Sequence, residues 1–186
     1  MENATRKKLA EVAREMAQIP FHGYIEGKES NLEPIIKFFP KWNLREADGL
    51  WCAAFVYYCC NEAGFEIPYR PSECITCHLA GCVAWEEFAI SDKQIEYHKG
   101  TESLVPEAGD IVIYDRVFNN QEHDHIGIVL QKHENAIVVA EGNVKITNCV
   151  FTGTISNAGE RSGGIVGTSE GSINIENCIV ISDEIS

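Results

Sequence analysis

Leu50-Trp51-Cys52-Ala53-Ala54-Phe55-Val56-Tyr57-Tyr58-Cys59-Cys60-Asn61-Glu62-Ala63-Gly64 is the stretch on which the fold turns. Up to Asn61 its side chains are apolar or aromatic on every side, and a helix without a polar face belongs inside a core. Gly64 supplies the residue type on which helices commonly close. The run follows a loop ending in Asp48-Gly49, so Cys52 falls where that loop enters the helix. A thiol there meets the unpaired N–H groups and positive dipole end of the first turn, which favour a thiolate.

Upstream, residues 4–18 read as an amphipathic helix with Leu9, Val12 and Met16 on one face, ended by Pro20 and Gly23. Gly23 to Asn31 is loop-like. Ser30 or Asn31 is placed to cap a further helix over residues 32–39, which Pro40 stops. Residues 70–90 are expected to be mostly helical, with Pro71-Ser72-Glu73 as the start and Ala84, Trp85 and Phe88 as the apolar end. The pattern changes from Glu102 onward. Residues 110–114, 125–130 and 136–140 are alternating or β-branched runs bounded by Gly, Asn, Asp and Glu, the chemistry of strands and turns. Helices first and strands afterwards give an α+β fold, with the N-terminal helices packed on an antiparallel sheet.

A third texture begins near Val144. Ile146-Thr147-Asn148-Cys149-Val150 and Ile175-Glu176-Asn177-Cys178-Ile179 match at an offset of 29 residues, with Gly163-Gly164-Ile165-Val166-Gly167 between them. Short β runs recurring at that period suggest a repeat, although one period cannot bury its own face. The chain therefore divides into residues 1–144 and a glycine-rich β segment over 145–186. The latter is either repeat-like or the last strands of the sheet.

Composition narrows the function. The 186 residues carry 15 Lys+Arg against 28 Asp+Glu, a formal net charge of −13, with 45% hydrophobic residues and 8 Cys. That is enough apolar chain for a real core, which rules out wholesale disorder. The acidic balance argues against a nucleic-acid partner, whose binding would rest on clustered Lys and Arg. It also disfavours purely electrostatic attachment to anionic polymers. No apolar stretch reaches the ~20 residues of a membrane span. The basic start lacks an apolar region behind it and does not read as a secretory signal, which leaves localisation open. In a chain this long most of the cysteines are expected to be reduced.

A cysteine nucleophile needs a base and a group that orients the base. His125 opens a strand directly after the polar turn Asn119–Asp124, and Glu141-Gly142-Asn143 closes the next run 16 residues beyond it. On neighbouring antiparallel strands that separation sets Glu141 or Asn143 beside His125, and a continuing strand would aim both at one face. Cys52, His125, Glu141 and Asn143 thus form a candidate Cys–His–carboxylate or Cys–His–Asn set. His123 is the nearest competing imidazole and is expected to be solvated.

These residues stand in a recognisable order. Trp51-Cys52-Ala53-Ala54-Phe55-Val56, Pro106-Glu107-Ala108-Gly109-Asp110-Ile111-Val112, Asp124-His125-Ile126-Gly127-Ile128-Val129 and Glu141-Gly142-Asn143 follow one another along the chain. In that order they resemble the CHAP family of cysteine- and histidine-dependent amidohydrolases and peptidases, over roughly residues 5–144. The resemblance implies a papain-like fold and hydrolysis of amide bonds in bacterial peptidoglycan through an acyl-enzyme, without metal or cofactor. It makes Cys52 the nucleophile, His125 the general base and Glu141 its orienting residue, with Asn143 on the imidazole or on substrate. The substrate implied is a peptidoglycan stem peptide or its junction to the glycan, and the family's usual setting is the cell wall or the extracellular space. The segment after Asn143 resembles instead the glycine-rich GLUG-type repeats of bacterial surface proteins. Two other readings compete: a non-catalytic cell-wall binding module, and a thiol redox protein using Cys74 and Cys77. Cys74-Ile75-Thr76-Cys77-His78 also spells the c-type haem pattern, and with Cys82 offers thiols for zinc. Neither carries the further ligands those sites need, and the default there is a thiol-rich helix.

Overall fold

The computed structural model describes residues 2–24, 27–47, 49–71, 77–100, 104–116, 121–133, 137–147, 150–152, 173–176 and 179–181. The first helix, α1 (Glu2–Ala17), buries Leu9, Ala10, Ala13 and Ala17, while Val12 and Met16 pack partly buried against the same core. The spacing of three and four is that of one helical face. The next helix, α2 (Glu33–Ile36), is shorter than the apolar run suggested. After it the chain continues in tight turns, with Phe39 N–H on the Ile36 carbonyl and Trp42 N–H on that of Phe39. Leu32, not Ser30 or Asn31, occupies the N-cap. Asn31 is used elsewhere: its Oδ1 accepts from His22 N–H at 2.7 Å and its Nδ2 donates to the Pro20 carbonyl.

A one-turn helix, α3 (Leu44–Ala47), precedes the loop that leads into the next helix. Asn43 Oδ1 accepts from the N–H groups of Arg45 and Glu46, and Glu46 returns a carboxylate oxygen to Asn43 N–H at 3.2 Å. This reciprocal cap is what lets so short a helix persist. Then comes α4 (Cys52–Glu62), in which every residue from Cys52 to Cys60 is buried. It closes on Gly64 at φ +90°, with Phe65 N–H reaching back to the Cys60 carbonyl. That is the glycine-terminated end expected of it.

The last helix corrects the sequence reading. It is α5 (Cys82–Ser91), and the described residues before it, Arg70, Pro71 and Cys77 to Gly81, are not helical. Tertiary bonds hold that approach open. Leu79, fully buried, donates its N–H to the Tyr69 carbonyl and accepts from the Trp85 indole at 2.7 Å, while Gly81 is extended. The expected start at Ser72-Glu73, and Cys74 with it, lies outside the described residues.

Three strands follow: β1 (Ile111–Tyr114), β2 (His125–Lys132) and β3 (Ile137–Glu141), antiparallel in the order β1-β2-β3. The central strand is buried from His125 to Leu130. Both α1 and α4 pack on it. Helices on an antiparallel sheet make this an α+β fold, as the sequence order implied.

Four short strands remain: β4 (Val144–Thr147), β5 (Val150–Thr152), β6 (Ile173–Glu176) and β7 (Ile179–Ile181). β4 pairs with β6 and β5 with β7, both parallel, and among the described residues none of the four joins the β1-β2-β3 ladder. Val144 lies opposite Ile173 and Val150 opposite Ile179, the same 29-residue offset as the sequence match. No helix among the described residues is long and apolar enough to cross a membrane.

Candidate active site

Cys52 is the first residue of α4, and the loop before it and the end of β3 set its position. The loop before the helix turns at Gly49, whose φ is +72°. The Gly49 carbonyl accepts from Asn143 Nδ2 at 2.5 Å, so the end of β3 is tied to the entry of α4. Between these points Gly142 lies flat against the helix. A Cβ on Gly142 would stand 2.7 Å from Phe55 Cβ and 2.7 Å from Trp51 Cζ3, both far inside contact distance. The glycine in Glu141-Gly142-Asn143 therefore lets strand and helix meet side by side, bringing Glu141 next to the thiol's neighbourhood.

His125 is the first residue of β2, only 2% exposed, and its Nε2 sits 3.1 Å from Glu141 Oε2. The register explains how they reach each other. Glu141 pairs with Gly127, not His125, and residues two apart in a strand share a face. Glu141 must therefore lean diagonally across Gly127. A Cβ on Gly127 would lie 2.7 Å from Glu141 Cγ and 3.0 Å from the Ala140 carbonyl oxygen. The glycine in His125-Ile126-Gly127 leaves the space in which the carboxylate lies. Gly127→Ala is accordingly expected to cost about 1–3 kcal/mol as an overpacked site and to push the carboxylate off the imidazole. The His125 pKa measured by NMR should then fall; an unchanged value would reject this role for Gly127.

Tyr114 completes this side. It pairs with His125 across β1 and β2, and the two rings stack with centroids 5.9 Å apart and planes 21° from parallel. Burial raises the Tyr114 pKa, and the charge and hydrogen bond of Glu141 raise it further, so the phenol stays protonated and donates to the carboxylate.

The thiol and the imidazole act on each other. The Cys52 pKa is drawn down to about 5. The Cys82 thiol contributes most, followed by the hydrogen bond and charge of His125 and the Ala53 N–H, all working against burial. Burial pulls His125 down, yet the hydrogen bonds and charges of Cys52 and Glu141 outweigh it and lift the pKa to about 9. Between those two values the stable form is a thiolate facing an imidazolium. The other two thiols of α4 behave oppositely: burial raises Cys60 to about 12 and lifts Cys59 well above the ordinary value.

Of the four residues singled out in the sequence, the structure gathers Cys52, His125 and Glu141. Asn143, expected on the imidazole or on substrate, is not on the imidazole. It lies beyond β3 in the left-handed region at φ +57°, and its amide holds the Gly49 carbonyl, not the imidazole. The chain turns after Glu141, so the shared-face argument fails there. His123 also differs: it is not simply solvated but half-buried, with Nε2 2.9 Å from a Glu86 carboxylate that also accepts the Tyr97 hydroxyl. Two neighbours were not foreseen, Tyr114 and Cys82. Tyr114 follows once the β1–β2 register is known. Cys82 Sγ stands 3.7 Å from Cys52 Sγ, and nothing in its local sequence announces that. Cys77 is not on a helix, and no group of three or more His, Cys, Asp or Glu side chains among the described residues is placed to hold a metal ion.

The α+β fold thus sets a helix-terminal thiol near a carboxylate-backed imidazole. The CHAP domain matches residues 45–143, more than half of the chain and the span that holds Cys52, His125 and Glu141, and the protein belongs to that family. CHAP domains are typically hydrolases acting on peptidoglycan. No curated protein and no solved structure matches the chain.

Proposed function

We propose that this protein is a cysteine-dependent amidase or endopeptidase with a papain-like core, hydrolysing amide bonds of bacterial peptidoglycan through an acyl-enzyme. The observation that carries the reading is the pairing of Cys52 and His125, each shifting the other toward its charged form, with Glu141 3.1 Å behind the imidazole. At neutral pH the Cys52 thiolate attacks the carbonyl carbon of the scissile amide. The first-turn N–H groups of α4 stabilise the oxyanion. The imidazolium of His125 delivers its proton to the departing amine as the C–N bond breaks, leaving a thioester on Cys52. His125, now neutral, removes a proton from water, which attacks the thioester, and the thiolate leaves. Glu141 holds the imidazole in place through Nε2 and favours its cation, while the Tyr114 hydroxyl donates to the same carboxylate. Asn143 serves as a positioning residue for the loop that carries Cys52. The substrate is a stem peptide or its junction to the glycan, and no metal takes part.

Residues 145–186 are read as a separate glycine-rich β segment akin to GLUG-type repeats. The constant 29-residue offset of both parallel strand pairs supports this.

Digestion of purified peptidoglycan followed by mass analysis tests the main reading. Wild type should release fragments whose masses identify the bond, either sugar-free stem peptides or uncrosslinked muropeptides. Cys52→Ala should lower release by about 10³-fold or more, as loss of a nucleophile does. Equal release by the two proteins would end the proposal.

A further inference from the structure

We infer that Cys82 is a third thiol-chemistry residue of the site: its S–H donates to the Cys52 sulfur and holds it as the attacking and departing thiolate. This rests on the reading of Cys52 as nucleophile. Cys82 is the first residue of α5 as Cys52 is of α4, so two helices from different parts of the chain present their first residues to each other. Both side chains are about nine-tenths buried, and the sulfurs lie 3.7 Å apart, within reach of a hydrogen bond to sulfur and well outside a covalent S–S distance.

Which sulfur keeps the proton follows from the charges around them. The Cys52 sulfur faces the His125 cation, which favours a thiolate there. The Cys82 sulfur faces Cys52 itself and feels the negative charge of Asp124, both of which oppose a second thiolate. The asymmetry is built by consecutive residues, Asp124 and His125, at the mouth of β2. The proton therefore stays on Cys82 and points at Cys52.

During acylation the S–H bond of Cys82 remains intact. The Cys52 lone pair forms the C–S bond as the carbonyl electrons move to oxygen; those electrons return as the C–N bond breaks, and the leaving amine takes its proton from His125. The hydrogen bond from Cys82 weakens as sulfur loses its charge. In deacylation water adds, the C–S bond breaks toward sulfur, and the hydrogen bond strengthens again on the emerging thiolate. A donor at this place lowers the basicity of the leaving sulfur, which speeds its expulsion.

The test follows the iodoacetamide alkylation rate of Cys52 from pH 4 to 10, with the modified residue located by mass. The wild-type midpoint should lie at about 5. In Cys82→Ala and Cys82→Val, which lack a donor, the midpoint should rise by about one to two pH units, the effect of one hydrogen bond to a charged group. Cys82→Ser keeps a donor and should stay closer to wild type. Near-UV circular dichroism identifies which donor-free variant is folded and scored. Donor-free variants that titrate with the wild-type midpoint would overturn the inference, as would a Cys82→Ser midpoint nearer to Cys82→Ala. Alkylation needs no peptidoglycan, so the two readings fail separately. A shifted midpoint in a protein that cleaves nothing defeats only the hydrolase reading; an unshifted one in an active protein defeats only this role for Cys82.

Discussion

His125→Ala should lower peptidoglycan hydrolysis by at least about 10³-fold and move the reactivity of Cys52 to higher pH. Removal of a general base that also activates the nucleophile has effects of that order. Three contributions disappear together. The cation that helps hold the thiolate is lost, the amine leaves without a proton donor, and the deacylating water has no base. The pH dependence separates them. In wild type the reactive pair exists only above the Cys52 pKa of about 5 and below the His125 pKa of about 9. Hydrolysis as kcat/KM should thus rise through the first value and fall through the second. Cys52 without its histidine keeps the Cys82 hydrogen bond and the Ala53 N–H but loses the cation, so its alkylation midpoint rises. The fall near 9 should vanish from what activity is left, because the group that deprotonates there is gone. A variant that keeps the wild-type profile, limb for limb, would show that another base does the work. His123 is the imidazole nearest in sequence, yet it is already committed to Glu86.

The parts of this site that were legible in the sequence are those set by local chemistry. An all-apolar run closing on glycine can only be a buried helix, so Cys52 could be placed at its first turn from sequence alone. The 16-residue separation of His125 and Glu141 fits two antiparallel strands, and the observed register needs only the diagonal across Gly127 to join them. What failed was decided at long range or by a single backbone torsion. A continuing strand would aim Asn143 to the face of Glu141, but a left-handed turn at that residue sends its amide to Gly49. Pro71-Ser72-Glu73 has the composition of a helix start, yet α5 begins at Cys82. The bonds of Leu79 to Tyr69 and Trp85 keep the described residues just before Cys82 out of a helix. In the sequence Cys82 offers itself only as a ligand beside Cys74 and Cys77. Its real neighbour lies 30 residues earlier on another helix, and no spacing rule links two first-turn residues of separate helices. The one-turn α3 could have been read, since Asn43 and Glu46 stand at capping-box spacing, but four residues leave little periodicity to support it.

Gly109→Ala should destabilise the fold by about 2–5 kcal/mol. Gly109 lies in Pro106-Glu107-Ala108-Gly109-Asp110, just before β1, with φ at +92°. An L residue held on that side of the map costs roughly 1–2 kcal/mol. The larger difficulty is space. The new Cβ would stand 2.1 Å from the Arg6 carbonyl oxygen and 2.5 Å from its carbonyl carbon, and these are backbone atoms of α1 that cannot rotate away. Relief requires α1 to move off the sheet, and overpacking of this kind adds roughly 1–3 kcal/mol. Gly109 cannot move instead. Its N–H donates to the Val129 carbonyl at 2.8 Å, Val129 N–H returns to the Asp110 carbonyl at 2.8 Å, and the Asp110 carboxylate holds both Glu107 N–H and the Arg6 guanidinium. Gly27 is the control, because it has a similar φ of +77° with nothing within 4 Å of its absent Cβ. Gly27→Ala should therefore show the torsional cost alone. Urea midpoints measured side by side decide the matter, since for equal slopes the midpoint tracks stability. Equal losses in the two variants would mean that α1 yields freely, and that the close contact between Arg6 and Gly109 is not what sets the helix on the sheet.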